Sequence, residues 1–405
     1  MRILIWHYVP PDPDSGYWFW LKSGMEAVGH QVISIDCYAL MAVFGQQGMQ
    51  RLLLRYAEAY RIQAVVVTPQ NQVEPTVLTQ MRQMGIAVIA FRYDDCLVAA
   101  PGRQRIAAGN WRQFRLYDAY CDLAVTVCQG MVNQAAERDG NPPTYLPLPF
   151  GWQTVVATPG PLRPVIAFCG SPKYNGESAL SWRVQVVRHL LAHGLPVELH
   201  HDSWASVPGC EAVARPTPSL PAMFETFRTA TVNLALASDW SIEPHPAIKL
   251  MNVEIAAAGG MQIASPCPEL ADLFSCDRDV ATAETPEEIA LLARHFLAHP
   301  AEAGALGQNS RRAMERLGGW DRWWDAVAAH LAGKGIVLPL DGSPQSPDPA
   351  IAPELAMANL ALAHLYEGAN KPVQANSYFQ EASQLAPTEY HAHAGLARLS
   401  GEAPT

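Results

Sequence analysis

Short apolar runs alternate along the first part of the chain with stretches whose apolar residues recur every three to four positions. The runs predict strands at Arg2–Trp6, Gln31–Cys37, Ala64–Thr68, Ile86–Phe91 and Asp122–Val127. The intervening period predicts helices at Tyr17–Val28, Met49–Arg61, Pro75–Met84, Gln104–Tyr120 and Gly130–Arg138. Strands that are apolar throughout, each followed by a helix, indicate a parallel sheet covered on both faces. The Pro-rich stretch Tyr145–Pro164 interrupts this pattern. The alternation then resumes, with strands at Val165–Cys169, Val197–His200, Thr231–Ala237, Met261–Ser265 and Asp279–Thr282. The helices of this half are expected at Ala179–His193, Leu220–Thr229, about Pro246 to Ala258, Pro286–Ala298 and Glu302–Leu317.

The expected fold class is therefore α/β, with two Rossmann-like domains, residues 1–150 and 160–332, facing a cleft at the carboxyl ends of their strands. The tryptophan-rich stretch 320–331 reads as a closing helix that packs back on the first domain. A Gly, Pro and Ser-rich linker, 333–352, leads to a different pattern over 353–405. There, Leu362, Ala363, Tyr366, Ala375, Phe379, Ala382 and Pro387 fall at the spacing of a tetratricopeptide repeat. Leu396-Ala397 begins a second repeat that the terminus cuts short. A repeat and a half cannot bury its own apolar faces, so it must dock on the rest of the chain or on another molecule.

Composition narrows the function classes. A net charge of −10 argues against non-specific nucleic-acid binding, which needs a clustered basic surface. The eight cysteines form no CxxC and lie mostly in apolar runs, as buried reduced thiols do. The apolar run after Met1 ends at His7 and Pro10, too short for a signal-peptide core, and no run reaches the length of a membrane span. A cytoplasmic protein is expected. No GxGxxG follows the first strand and no GxxxxGK[ST] occurs, so neither a dinucleotide fingerprint nor a P-loop is present.

Candidate chemistry gathers in HPAIKLMNVEIAAAGGMQIASPCPELADLF, His245 to Phe274. Glu254 is the one acid of its predicted helix, among Leu250, Met251, Val253 and Ile255. A carboxylate there is costly unless it has a partner. A ribose offers two hydroxyl donors; Lys249, a backbone amide or a solvated helix edge would also satisfy it. Lys249 lies one turn into the predicted helix, whose free N–H groups suit a phosphate, and His245 is held between two prolines before it. His245 also reads as an ordinary loop histidine. After strand Val165–Cys169 the loop Gly170-Ser171-Pro172-Lys173 allows close backbone approach, and Lys173 offers a cation to a departing diphosphate. In the first domain His7, Asp14, Asp94 and Asp95 follow strand ends, where each would act as base toward an acceptor hydroxyl or bind that acceptor. Asp12 and Asp14 equally suit turn and helix-cap chemistry. The aromatic run Tyr17-Trp18-Phe19-Trp20 would line a sugar pocket or fill core.

The segment KLMNVEIAAAGGMQIASPCPELADLF, followed by PEEIALLARHFLAHP, resembles the GT-B glycosyltransferases of the CgeB-like, group 1 type. Gly29-His30-Gln31-Val32, Tyr93-Asp94-Asp95, Tyr145-Leu146-Pro147 and Phe168-Cys169-Gly170-Ser171 support the likeness. The resemblance implies a UDP- or GDP-sugar as co-substrate, with no metal and no further cofactor. It implies Glu254 on the ribose, with Lys249 and the Ser171–Lys173 loop toward the diphosphate. Repeats of the C-terminal kind often hold peptides, which points to a protein acceptor (a surface or flagellar subunit); a saccharide or lipid-linked acceptor is the alternative. Two departures stand out. Met251 occupies a place where relatives often carry Arg, and Pro246 replaces the first of the paired glutamates of many retaining relatives. Stereochemical outcome therefore does not carry over. Two other readings fit the same residues: a catalytically degenerate scaffold that binds a protein partner, or a second copy, through its C-terminal helices, and a sugar-nucleotide epimerase.

Overall fold

The computed structural model describes residues 1–7, 18–67, 73–92, 118–140, 142–155, 160–172, 181–236, 248–339 and 344–400. The described residues divide into two compact units. Residues 1–92, 118–125 and 324–400 form the first, and 126–323 the second. The strands are β1 Arg2–His7, β2 Gln31–Asp36, β3 Ala64–Val67, β4 Ala87–Arg92, β5 Leu123–Thr126 and β6 Thr144–Tyr145, then β7 Arg163–Phe168, β8 Val197–His200, β9 Ala214–Arg215, β10 Ala230–Ala235, β11 Gln262–Ala264 and β12 Ala281–Thr282. They build two six-stranded sheets, ordered β2-β1-β3-β4-β5-β6 and β12-β11-β10-β7-β8-β9. β1 pairs in parallel with both β2 and β3, and its Ile3, Leu4, Ile5 and Trp6 are fully buried, which explains its uninterrupted apolar sequence.

In the first unit, helix α1 spans Cys37–Ala59 and α2 spans Pro75–Gln83. α1 starts a dozen residues before the expected Met49, because Asp36 at the end of β2 accepts the Ala39 amide at 2.9 Å and caps the helix directly. Gly45, at φ +68°, kinks it. The helix expected over Tyr17–Val28 is a π-helical turn at Trp18–Ser23 followed by a short α-turn at Gly24–Glu26, with Trp20 packed on Phe91.

The C-terminal segment belongs to this unit. The helices of the second unit are α3 Gln129–Asp139, α4 Trp182–Ala192, α5 Leu220–Thr229, α6 Leu250–Ala257, α7 Pro268–Leu273, α8 Pro286–Ala298 and α9 Pro300–Leu317. Helix α10, Trp320–Ala332, spans the division between the units. Trp320, Trp323 and Trp324 are all buried, and His30 meets Trp324 edge-on. Helices α11 Ala352–Gly368, α12 Pro372–Leu385 and α13 Tyr390–Ser400 follow.

These last helices dock on α1 of their own chain. Leu355, Leu362, Tyr366 and Phe379 share one core with Leu52, Leu53, Tyr56 and Tyr60. Tyr56 donates to Asn359 Oδ1 at 3.0 Å, Arg55 pairs with Glu354 at 2.8 Å, and the Tyr366 hydroxyl donates to Asp36. Helix α1 thus supplies the missing apolar layer of a segment too short to form its own core. Six of the seven patterned positions are buried there, and Pro387 is exposed. The preceding linker is pinned as well, by reciprocal Gln31–Gln345 hydrogen bonds at 2.9 Å each and by Lys334 Nζ on the Asp122 carbonyl.

In the second unit, three glycines let α5, α6 and α9 come close together. Gly259 turns the chain after α6 at φ +73°. A Cβ on Gly260 would collide with the Phe227 carbonyl, and one on Gly307 of α9 with the Gly259 carbonyl. Arg311 of α9 donates to the carbonyls of Trp152 and Ala257 and lies over the Trp152 ring, tying the 152–155 turn to the end of α6. Among the described residues no helix is long and apolar enough to cross a membrane. The described cysteines are free thiols.

Candidate functional site

The second sheet runs outward from β7, through β8 and β9 on one side and β10, β11 and β12 on the other. Connections therefore reverse direction between β7 and β10. Open parallel sheets bind ligands at such a switch point, outside the carboxyl ends of the two strands. The residues that follow β7 and β10 are Cys169-Gly170-Ser171 and Leu236.

Arg183 of α4 joins those two strand ends. Its guanidinium donates to the Ser171 carbonyl at 2.9 Å and to the Leu236 carbonyl at 3.2 Å, and it lies over the Phe168 ring. The side chain is buried. The Gly170 carbonyl is turned away from the loop by Trp204, whose indole N–H donates to it at 2.7 Å. Gly170 also sits close to Met251 of α6, whose Cε would lie 3.1 Å from an added Cβ. The loop after β7 and the first turn of α6, some 80 positions apart in sequence, thus meet at the switch point.

Glu254 lies on the next turn of α6. It is 8% exposed, and its carboxylate has no hydrogen-bond or ion-pair partner among the described residues, burial being the one influence on it. Burial alone pushes its pKa from the ordinary 4.5 up to about 7. The carboxylate is near enough to Cys169 to raise that thiol's pKa further, after burial has already raised it. Glu254 therefore stands beside the β7 loop as an acceptor with unmet capacity.

Lys249 is placed differently from expectation. The helix begins at Leu250, so Lys249 is its N-cap rather than a residue one turn in. Asn252, three positions on, reaches back to accept the Lys249 amide at 3.0 Å, and its own amide donates to Gln262. That buried pair fixes the helix start against β11, and the Lys249 charge acts on Cys267 in the loop after β11. Gly170, Ser171, Lys249 and Glu254 are thus gathered around the carboxyl edge. Lys173, His245, Asp14, Asp94 and Asp95 lie outside the described residues, as does the side chain of His7 at the end of β1.

Two residues of this edge were not singled out from the sequence. Arg183 shares the stretch WRVQVVRHLL with Arg188 and His189, so nothing in the sequence marks it out from an ordinary helix cation. Glu269 of α7 is buried and accepts the Gln129 amide at 2.7 Å, capping the start of α3. Its neighbour Asp272 accepts from the Gln129 side chain and from the Tyr145 hydroxyl, at 2.6 and 2.5 Å.

Comparison with known proteins bears on the fold. A family model described as glycosyl transferase-like matches residues 182–329, the part of the chain that carries Arg183, Lys249, Glu254 and Glu269. No curated protein matches the chain by sequence. Among solved structures, the chain is similar to a sucrose-phosphate synthase from Thermosynechococcus elongatus, at 14% identity and a TM-score of 0.55, over 82% of this chain and 97% of that one. It is similar to Anabaena Alr3699/HepE in complex with UDP and glucose, at 10% identity and a TM-score of 0.54, over 82% and 100%. It is also similar to AviGT4, a glycosyltransferase of avilamycin A biosynthesis, at 15% identity and a TM-score of 0.52, over 82% and 98%. The fold is thus that of the GT-B glycosyltransferases.

Proposed function

We propose that this chain is a glycosyltransferase that draws on a nucleoside diphosphate sugar and passes the sugar to an acceptor hydroxyl. The observation that carries the reading is Glu254, a buried carboxylate without a partner among the described residues, standing at the switch point of the second sheet. A ribose supplies two hydroxyl donors to one carboxylate and so restores the hydrogen bonds lost on burial. The start of α6, with Lys249 as its N-cap, offers main-chain N–H groups and a cation to the diphosphate. Departure of that diphosphate develops negative charge, and a fixed cation and helix terminus offset it without a metal. Lys173 and His245 are assigned the same electrostatic task, and the acceptor-side base is sought among His7, Asp14, Asp94 and Asp95. UDP is the first nucleotide to try, because Anabaena Alr3699/HepE, a structural neighbour, has been seen with UDP-glucose. The acceptor is a protein or saccharide hydroxyl.

The test is release of nucleoside diphosphate from a panel of nucleotide sugars, with and without candidate acceptors. Turnover that disappears in Glu254→Ala and falls in Lys249→Ala supports the reading. Nucleotide binding without turnover on any donor overturns it in favour of a catalytically idle scaffold, a reading motivated by Met251 at a place where relatives often carry Arg. Conversion of the donor to a stereoisomer, with no diphosphate released, overturns it in favour of an epimerase.

A further inference from the structure

The junction of α8 and α9 carries a second cluster, unrelated to the carboxyl edge. His295 closes α8, His299 links the two helices, and Glu302 lies in the first turn of α9. One ligand atom from each of the three lies within 4.8 Å of the others. All three side chains are exposed. We propose that His295, His299 and Glu302 form a binding site for a divalent transition-metal ion of the zinc and copper class.

Three features support the assignment. First, the backbone that carries the ligands is fixed. The His299 amide donates to the His295 carbonyl at 3.0 Å, and the Glu302 amide to the His299 carbonyl at 3.0 Å. Second, the tautomer of His299 is set. Its Nδ1 lies 2.8 Å from the His295 carbonyl oxygen, which can only accept, so Nδ1 carries the proton and Nε2 keeps its lone pair. A metal-binding histidine has this orienting bond on its other nitrogen as a rule. Third, His295 Nε2 and Glu302 Oε2 already face each other at 2.9 Å, so an ion would replace a shared proton between two groups in place.

The imidazole rings stack with centroids 4.5 Å apart. An ion bonded at about 2.1 Å needs its ligand atoms roughly 3–3.4 Å from one another. Exposed side chains cover the remaining distance by small rotations about their χ angles. Two imidazoles and one carboxylate suit zinc, copper or nickel, whereas calcium and magnesium prefer all-oxygen sets. The junction lies at the far end of α8 from β12, which precedes it, so the ion's role is to clip α8 to α9 rather than to touch a ligand at the carboxyl edge.

The experiment is calorimetric titration of the full chain with Zn²⁺ at pH 7.5, in a Cys276→Ser background that removes the one exposed thiol among the described residues. One ion per chain is expected. Substituting His295, His299 or Glu302 by Ala raises Kd at least about tenfold, whereas His189→Gln with His193→Gln, a second histidine pair with rings 4.2 Å apart, leaves it unchanged. Electron paramagnetic resonance of the Cu²⁺-loaded protein gives a readout independent of the variants, with two equatorial nitrogens expected. Unchanged affinity in the three single variants, or a copper spectrum without paired nitrogens, overturns the proposal.

Discussion

Replacing Glu254 by Gln keeps the shape of the side chain and removes its charge. In the folded chain burial raises the carboxyl from 4.5 to about 7. The unfolded chain gives up this proton near 4.5, and the folded chain holds it to about 7. Stability from this group is therefore complete below about pH 4.5 and is lost as pH rises toward 7. At 1.36 kcal/mol per pH unit, an interval of roughly 2.5 units corresponds to up to about 3 kcal/mol at pH 8. Glu254→Gln should match the wild type near pH 4.5 and exceed it by up to about 3 kcal/mol at pH 8. Urea unfolding of both proteins across that range measures the difference. Glu381, half-buried and with its pKa also raised to about 7 by desolvation, titrates in both proteins and cancels. The same variant should lose nucleoside diphosphate affinity, so that stability and binding move in opposite directions. If Glu254→Gln follows the wild type at every pH, or is the less stable at pH 8, the carboxylate is paired and the reasoning fails.

Arg183→Met leaves the Ser171 and Leu236 carbonyls without their donor; we expect a loss of about 2–4 kcal/mol in urea unfolding and weaker nucleotide binding in calorimetry. Gly260→Ala forces a methyl group onto the Phe227 carbonyl, and a cost of about 3 kcal/mol or more should appear as a lowered urea midpoint. Tyr366→Phe removes the hydroxyl that donates to Asp36, and a cost of about 1–3 kcal/mol should show as faster amide exchange across α11 and α12.

Much of the fold was legible because its strands are buried on both faces and its helices are not. Ile3 to Trp6 and Ala64 to Val67 read as strands for that reason, and both pair in parallel. Glu254 was legible because one acid in an apolar helix has few explanations. The start of its helix was misread: Lys249 is an unusual cap, and the signal lay in Asn252, whose side chain reaches back to the Lys249 amide. The start of α1 was misread for a related reason. Asp36 ends a strand and caps a helix at once, leaving no loop to mark the boundary. Docking of the C-terminal helices within the chain was not legible. It depends on Leu52, Leu53, Tyr56 and Tyr60 of α1 facing them, and a helical period alone does not say which partner covers that face. Arg183 escaped notice because its partners are main-chain carbonyls, which carry no side-chain signature.

The most direct test of the central claim is equilibrium binding of UDP and GDP to the wild type and to Glu254→Gln. Saturable binding of at least one nucleoside diphosphate to the wild type, weakened at least about tenfold when Glu254 loses its charge, is the predicted result, since hydrogen bonds to a charged group contribute about 1.5–3 kcal/mol. Absence of binding by either nucleotide, or equal binding by both proteins, would contradict it.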